Sequence, residues 1–151
     1  MTRSKAGTFE VIMVLVDSSV WIESLRRDGR LEVKVALENL LDEYEAAWCG
    51  PVKLEVLGGA RLQDRIVLEE HFQCIPYFPM TDSAWDEAKK LAWRLKDKGC
   101  NAPWNDILIA SLSIKADCRI YAIDKHFELM YASGAGIRLY KAGYGGQYNP
   151  D

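Results

Sequence analysis

The chain has 151 residues, of which 49% are hydrophobic and 27% charged, with a formal net charge of −3. That length suits one domain with one core, burying roughly 68–70% of the unfolded surface. The acidic balance argues against holding polyanions by bulk positive potential, and the sequence shows neither an apolar stretch of membrane-spanning length nor a signal-like start, so a cytoplasmic protein with no membrane partner is expected.

In chain order, residues 1–12 read as an N-terminal extension, or as a misassigned start with Met13 the natural first residue. The domain is expected over residues 13–141. A first strand, about Val11 to Val16, is apolar at every position, as when both faces of a parallel sheet are covered. Ser18 or Ser19 is expected to cap a helix carrying Val20, Trp21 and Leu25. After Gly29 a second helix runs from about Leu31 to Tyr44, with Val35, Leu37, Leu40 and Leu41 at helical spacing. A short strand near Ala46 to Cys49 stops at Gly50-Pro51, and Pro51 suits the first turn of a third helix ending at Gly58-Gly59.

Gln63 to Gln73 reads as a helix, and Ile75 to Phe78 as an edge strand because of its prolines. Thr81 or Asp82 caps a long amphipathic helix with Trp85, Ala88, Leu91, Ala92 and Leu95, closing at Lys98-Gly99. The next helix begins around Asn101-Ala102-Pro103. Arg119 to Ile123 is a strand, Lys125 to Tyr131 a helical turn or two, Ile137 to Tyr140 a last strand, and residues 142–151 a flexible tail. Strands alternating with helices predict an α/β fold, a sheet covered by helices.

Four acids stand against apolar runs where a carboxylate is hard to justify by folding alone. Asp17 ends the first strand, Asp124 follows the Arg119 to Ile123 strand, Glu55 lies within the third helix, and Asp106 falls in the first turn of the helix after Pro103. Buried carboxylates require a charged partner or a cation. No fixed pattern of Lys or Arg accompanies these four, so a divalent metal is the simplest partner. Each also has a plain structural alternative: Asp17 a helix cap, Glu55 a solvated helix residue, Asp106 a dipole partner, Asp124 a turn residue. Asp17 and Asp124 stand at the carboxyl ends of parallel strands, where open α/β sheets place ligand crevices, and Asp106 reaches the same edge from a helix start. Cys49, Cys74, Cys100 and Cys118 show no zinc spacing and read as reduced thiols. His71 and His126 are too few and too scattered for a His-based metal site.

With these residues assembled, the chain resembles the PIN-domain ribonucleases, and among them the VapC-type toxins of toxin–antitoxin pairs. The resemblance rests on Val16-Asp17-Ser18-Ser19-Val20-Trp21-Ile22, on Glu55 followed by Gly58, on Asn105-Asp106-Ile107-Leu108-Ile109-Ala110, and on Ile123-Asp124-Lys125-His126-Phe127. It spans about Val14 to Tyr140. It implies a three-layer α/β/α sandwich with a central, mostly parallel sheet, Mg²⁺ or Mn²⁺ at the acidic cluster, endonucleolytic hydrolysis of RNA by metal-activated water, a homodimer, and a cognate antitoxin. Products with 5′-phosphate and 3′-hydroxyl ends are implied as well. Asp17, Glu55, Asp106 and Asp124 are the expected catalytic metal ligands, with Asp17 and Asp106 central, and Ser19 and Asn105 the expected substrate-positioning residues. Hard divalent cations take oxygen ligands, which suits this donor set.

Many members carry Ser or Thr two residues before the last acid, where this chain has Ala122. A hydroxyl that orders the metal ligands is missing there, so two outcomes are open: weaker activity, or Ser19 doing more of that work. The Val20–Tyr44 hairpin carries surplus apolar residues, Leu40 and Leu41 among them, and is expected to form part of an antitoxin groove. Arg26, Arg27, Arg30 and Lys34, with Lys53, Arg61 and Arg65, are candidates for RNA phosphates. Trp21 and Trp104 are expected to serve core packing more than base stacking. Two other readings stay open: a non-catalytic PIN-like module that binds RNA or protein, and a phosphoacceptor or phosphatase using an Asp nucleophile. The second lacks an Asp-x-Asp pair after the first strand.

Overall fold

Three consecutive apolar residues with no polar alternation need cover on both faces, and Val14–Val16 (β1) receives it at the middle of a five-stranded parallel sheet. In the computed structural model, which describes residues 13–142 and the backbone of 148–149, its partners are Ala46–Cys49 (β2), Tyr77–Phe78 (β3), Arg119–Tyr121 (β4) and Arg138–Leu139 (β5). The spatial order is β3-β2-β1-β4-β5. The chain therefore steps outward from β1 to β3, then returns to β4 on the other side of β1. That reversal puts the switch point between β1 and β4, whose register pairs Val14 with Arg119 and Val16 with Tyr121.

The connections hold seven helices: Ser18–Leu25 (α1), Leu31–Asp42 (α2), Gly50–Gly58 (α3), Arg65–Gln73 (α4), Asp82–Asp97 (α5), Trp104–Ala116 (α6) and Lys125–Ala132 (α7). The right-handed crossover rule lays α1 to α4 over one face and α5 to α7 over the other, which is the three-layer sandwich expected. Trp21 of α1 and Trp48 of β2 both close on Phe72 of α4, at 4.8 and 3.9 Å between ring centres, sealing one layer. On the other side α6 is buried along most of its length, from Asp106 to Ser113, and α5 packs beside it through Ala88, Leu91 and Leu95.

Several boundaries differ from expectation, each for a local reason. The helix after β1 is capped by Asp17 and not by a serine, because its carboxylate accepts the Ser19 amide and frees Ser18 to open the helix. Thr81, rather than Asp82, caps α5 through the Ala84 amide. The expected helix from Gln63 starts as a 3-10 turn over Leu62–Asp64 before α4. The strand expected over Arg119 to Ile123 stops at Tyr121, where Asp124 begins to cap α7. Val11 and Ile12, at the start of the expected first strand, lie outside the described residues. So does most of the tail, though Tyr148–Asn149 pairs antiparallel with Lys141–Ala142. No helix among the described residues is long and apolar enough to cross a membrane.

Two side chains sit where the sequence did not put them. Leu40 faces the core and is buried, since α2 turns the Val33, Ala36, Leu37 and Leu40 stripe inward; the large apolar residues the hairpin exposes are Ile22, Leu25, Leu31 and Tyr44. Trp104 is 77% exposed, so its expected core role fails, whereas Trp21 is buried as expected.

Candidate active site

The turn leaving β1 is built by one hydroxyl. Ser19 donates to Asp17 Oδ2 from both its amide (3.1 Å) and its Oγ (2.6 Å), and Oγ accepts the Ile123 amide at 3.2 Å. A single side chain thus ties the end of β1 to the segment after β4, two strands whose pairing continues through the Asp17 amide to the Tyr121 carbonyl at 2.9 Å. Asp124 caps α7, its Oδ1 accepting the His126 amide at 2.9 Å. Asp106 sits at the third position of α6, where the helix dipole favours a carboxylate.

Asp17 and Asp106 are buried, at 2% and 7% exposure, Asp124 is half-buried and Glu55 is exposed at the rim. No Lys or Arg ion pair reaches any of the four among the described residues. Asp17 Oδ1 and Asp106 Oδ2 are buried oxygens without a hydrogen-bond donor. The four carboxylates feel one another. Burial, then Asp17 and Asp124, push the Asp106 carboxyl up to about 7. Burial followed by repulsion from Asp124 also raises Asp17, against the pull of its Ser19 hydrogen bonds. Glu55 is raised by burial and by Asp17, while hydrogen bonds from Ser18 and Asn105 act the other way. Asn105, expected to position substrate, has Glu55 as its partner.

Two unsatisfied buried oxygens in a ring of acids with no organic cation are what an oxygen-seeking divalent ion fits: it satisfies both and cancels the repulsion. The donor set therefore matches Mg²⁺ or Mn²⁺. The two histidines are too few and too scattered for a His-based site, yet one of them stands against these acids. His126 Nδ1 lies 2.7 Å from Asp124 Oδ1 and 3.2 Å from Asp106 Oδ2, and the ligand atoms of these three residues lie within 4.8 Å of one another. Its signal was present in the sequence as Asp124-Lys125-His126, an acid that caps a helix with an imidazole in the following first turn. Ser18, expected as a cap, instead bonds Glu55.

The model of the PIN domain family matches residues 14–132 of this chain. VapC ribonuclease Mb1587 from Mycobacterium bovis is 32% identical over 124 residues, covering 78% of this chain and 91% of its own. Among solved structures, FitAcB from Neisseria gonorrhoeae superposes with a TM-score of 0.67 at 18% identity, covering 81% of this chain and 94% of its own. A toxin–antitoxin complex from Klebsiella pneumoniae gives 0.63 at 17%, covering 74% and 87%. At those identities the structural likeness concerns the fold, while the sequence match and the strand-end acids carry the kinship. The chain belongs to the PIN domain family, in its VapC-type branch.

Proposed function

We propose that this protein is a divalent-metal-dependent endoribonuclease acting in the cytoplasm as the toxin of a VapBC-type pair. The observation that carries this reading is the meeting of Asp17, Asp106, Asp124 and Glu55 at the β1/β4 switch point with two buried oxygens left unsatisfied. The relative named as a ribonuclease supports the reaction class. A bound Mg²⁺ or Mn²⁺, held by Asp17, Asp106 and Asp124 with Glu55 at the rim, would supply Lewis acidity and an activated water for phosphodiester hydrolysis. The chain's own contribution is positional. Ser19 fixes the Asp17 carboxylate and anchors the Ile123 backbone, which covers the task that a hydroxyl at position 122 performs elsewhere. Asn105 and Ser18 hold Glu55 at the mouth, where it can accept a proton from water.

The antitoxin surface follows from a correction, since buried Leu40 cannot line a groove. A groove of about 560 Å³ runs from Ile22 and Leu25 past Arg26 and Arg27 to Glu55, with Arg61 and Leu68 on its far wall. A helical antitoxin segment seated there covers Glu55 and the same arginines that RNA phosphates would use, which explains inhibition without a separate allosteric step. A second apolar groove of about 690 Å³ between α5 and α6 is bordered by exposed Trp85, Trp93 and Trp104. We assign it to the homodimer contact, because exposed aromatic patches of this kind mark protein interfaces.

The test uses purified, antitoxin-free protein and total cellular RNA with Mn²⁺, with Mg²⁺ and with chelator, mapping new 5′ ends. New, discrete 5′-phosphate ends that require the ion are expected. Cleavage unchanged in chelator, or none with either ion, contradicts the proposal.

A further inference from the structure

His126 is in contact with two carboxylate oxygens yet makes no hydrogen bond to either: its Nδ1 is buried and without a hydrogen-bond partner, 2.7 Å from Asp124 Oδ1 and 3.2 Å from Asp106 Oδ2. The His126 amide holds the Asp124 carboxylate at the helix cap, on the same turn that carries the ring. Across from it, Asp106 is more than nine-tenths buried and its Oδ2 also lacks a donor. Three donor atoms gathered within 4.8 Å of one another are a set that can hold a metal ion when the ring is neutral, and the same contacts become an ion pair when it is protonated.

Building on the metal-dependent reading above, we propose that His126 Nδ1 is a direct metal ligand beside Asp106 and Asp124, and that this nitrogen makes the site select Mn²⁺ over Mg²⁺. Mg²⁺ holds its waters and prefers oxygen donors, whereas first-row transition ions take imidazole more readily, and Mn²⁺ among them also suits a set that is otherwise carboxylate. Coordination through Nδ1 places the ring proton on Nε2. Selectivity then resides in one residue outside the four acids.

The experiment measures Mn²⁺ and Mg²⁺ affinities calorimetrically and the ¹⁴N couplings of bound Mn²⁺ by pulsed electron paramagnetic resonance. The proteins are native, His126→Ala and His71→Ala. His71 is the other histidine of the chain and is exposed on α4, so its variant is the control. An imidazole coupling is expected in native protein and His71→Ala, and absent in His126→Ala. Mn²⁺ affinity should fall about tenfold or more in His126→Ala, within the range for losing a supporting group at a metal, with Mg²⁺ affinity changing less than about twofold. Bound Mn²⁺ lacking imidazole coupling in the native protein overturns the ligand assignment and leaves the carboxylate site standing. Native protein that binds no Mn²⁺ at all overturns both. The native spectrum decides the matter even if the alanine variant fails to fold.

Discussion

The two ends of strand β4 treat carboxylates in opposite ways. At its amino end Asp117 is exposed and meets the Arg138 guanidinium at 2.6 Å, a satisfied surface pair beside a left-handed helix cap. At its carboxyl end Asp17, Asp106 and Asp124 crowd together with no Lys or Arg, and two of their oxygens have no donor. Surface pairs of the first kind contribute little to stability, typically about 0–1 kcal/mol. The second arrangement costs stability, since two unit charges about 4 Å apart repel by roughly 4 kcal/mol at an effective dielectric near 20. A fold retains such a cost at one end of its central sheet when the cluster serves binding or catalysis.

The sharpest way to break this contrast is Asp106→Asn. RNA cleavage should fall by about a thousandfold or more, as a ligand and its charge are both lost. In chelator at pH 8 the same variant should melt higher than native protein, by about 2–4 °C for each kcal/mol of repulsion removed. Full activity, or a lower melting temperature, would place Asp106 outside a shared site.

Ser19→Ala comes next. It removes the hydroxyl that joins Asp17 to the Ile123 amide and leaves a buried carboxylate oxygen short of a donor, so a loss of about 1–3 kcal/mol in denaturant unfolding is expected. Cleavage should drop more than this loss of folded fraction explains. Ser19→Thr, which restores the hydroxyl, should recover much of it.

The pH dependence of metal-free stability sharpens the comparison further. Asp106 is raised from an ordinary value of 3.8 to about 7, so the fold favours its protonated form. That stabilising contribution is complete below about pH 4 and is lost as pH climbs through about 7. Native protein in chelator should therefore lose stability between pH 5 and 8 relative to Asp106→Asn, whose curve is flatter. Parallel curves, read from urea midpoints, would remove the coupling.

The smallest effect belongs to the other end of the strand. Arg138→Ala should change unfolding free energy by less than about 1 kcal/mol and leave cleavage intact. Trp93→Glu, on the assigned dimer face, should shift sedimentation toward the monomer with the site unaltered.

Most of this contrast was readable from the residues. Asp17 and Asp124 announce themselves because a carboxylate directly after a wholly apolar run is rare, although the strand before Asp124 ends two residues before that run does, at Tyr121. Asp106 was legible from Pro103 and the apolar run behind it. What escaped detection depended on helix rotation and on contacts between distant segments. Leu40 and Leu41 share a helical stripe in sequence, yet only the packing of α2 decides that Leu40 turns inward. His126 looked isolated because its partners Asp106 and Asp124 are brought to it by two different helix starts, one of them twenty residues away in the chain. Asn105 meets Glu55 only through the packing of α3 against α6.

The most direct measurement is a crystal of the antitoxin-free protein soaked in Mn²⁺, with anomalous difference density collected at the manganese edge. A peak bounded by Asp17, Asp106 and Asp124 at the carboxyl ends of β1 and β4 is the expected result. A strong peak elsewhere with none at these carboxylates, or no peak in soaked crystals of an RNA-cleaving preparation, would contradict it.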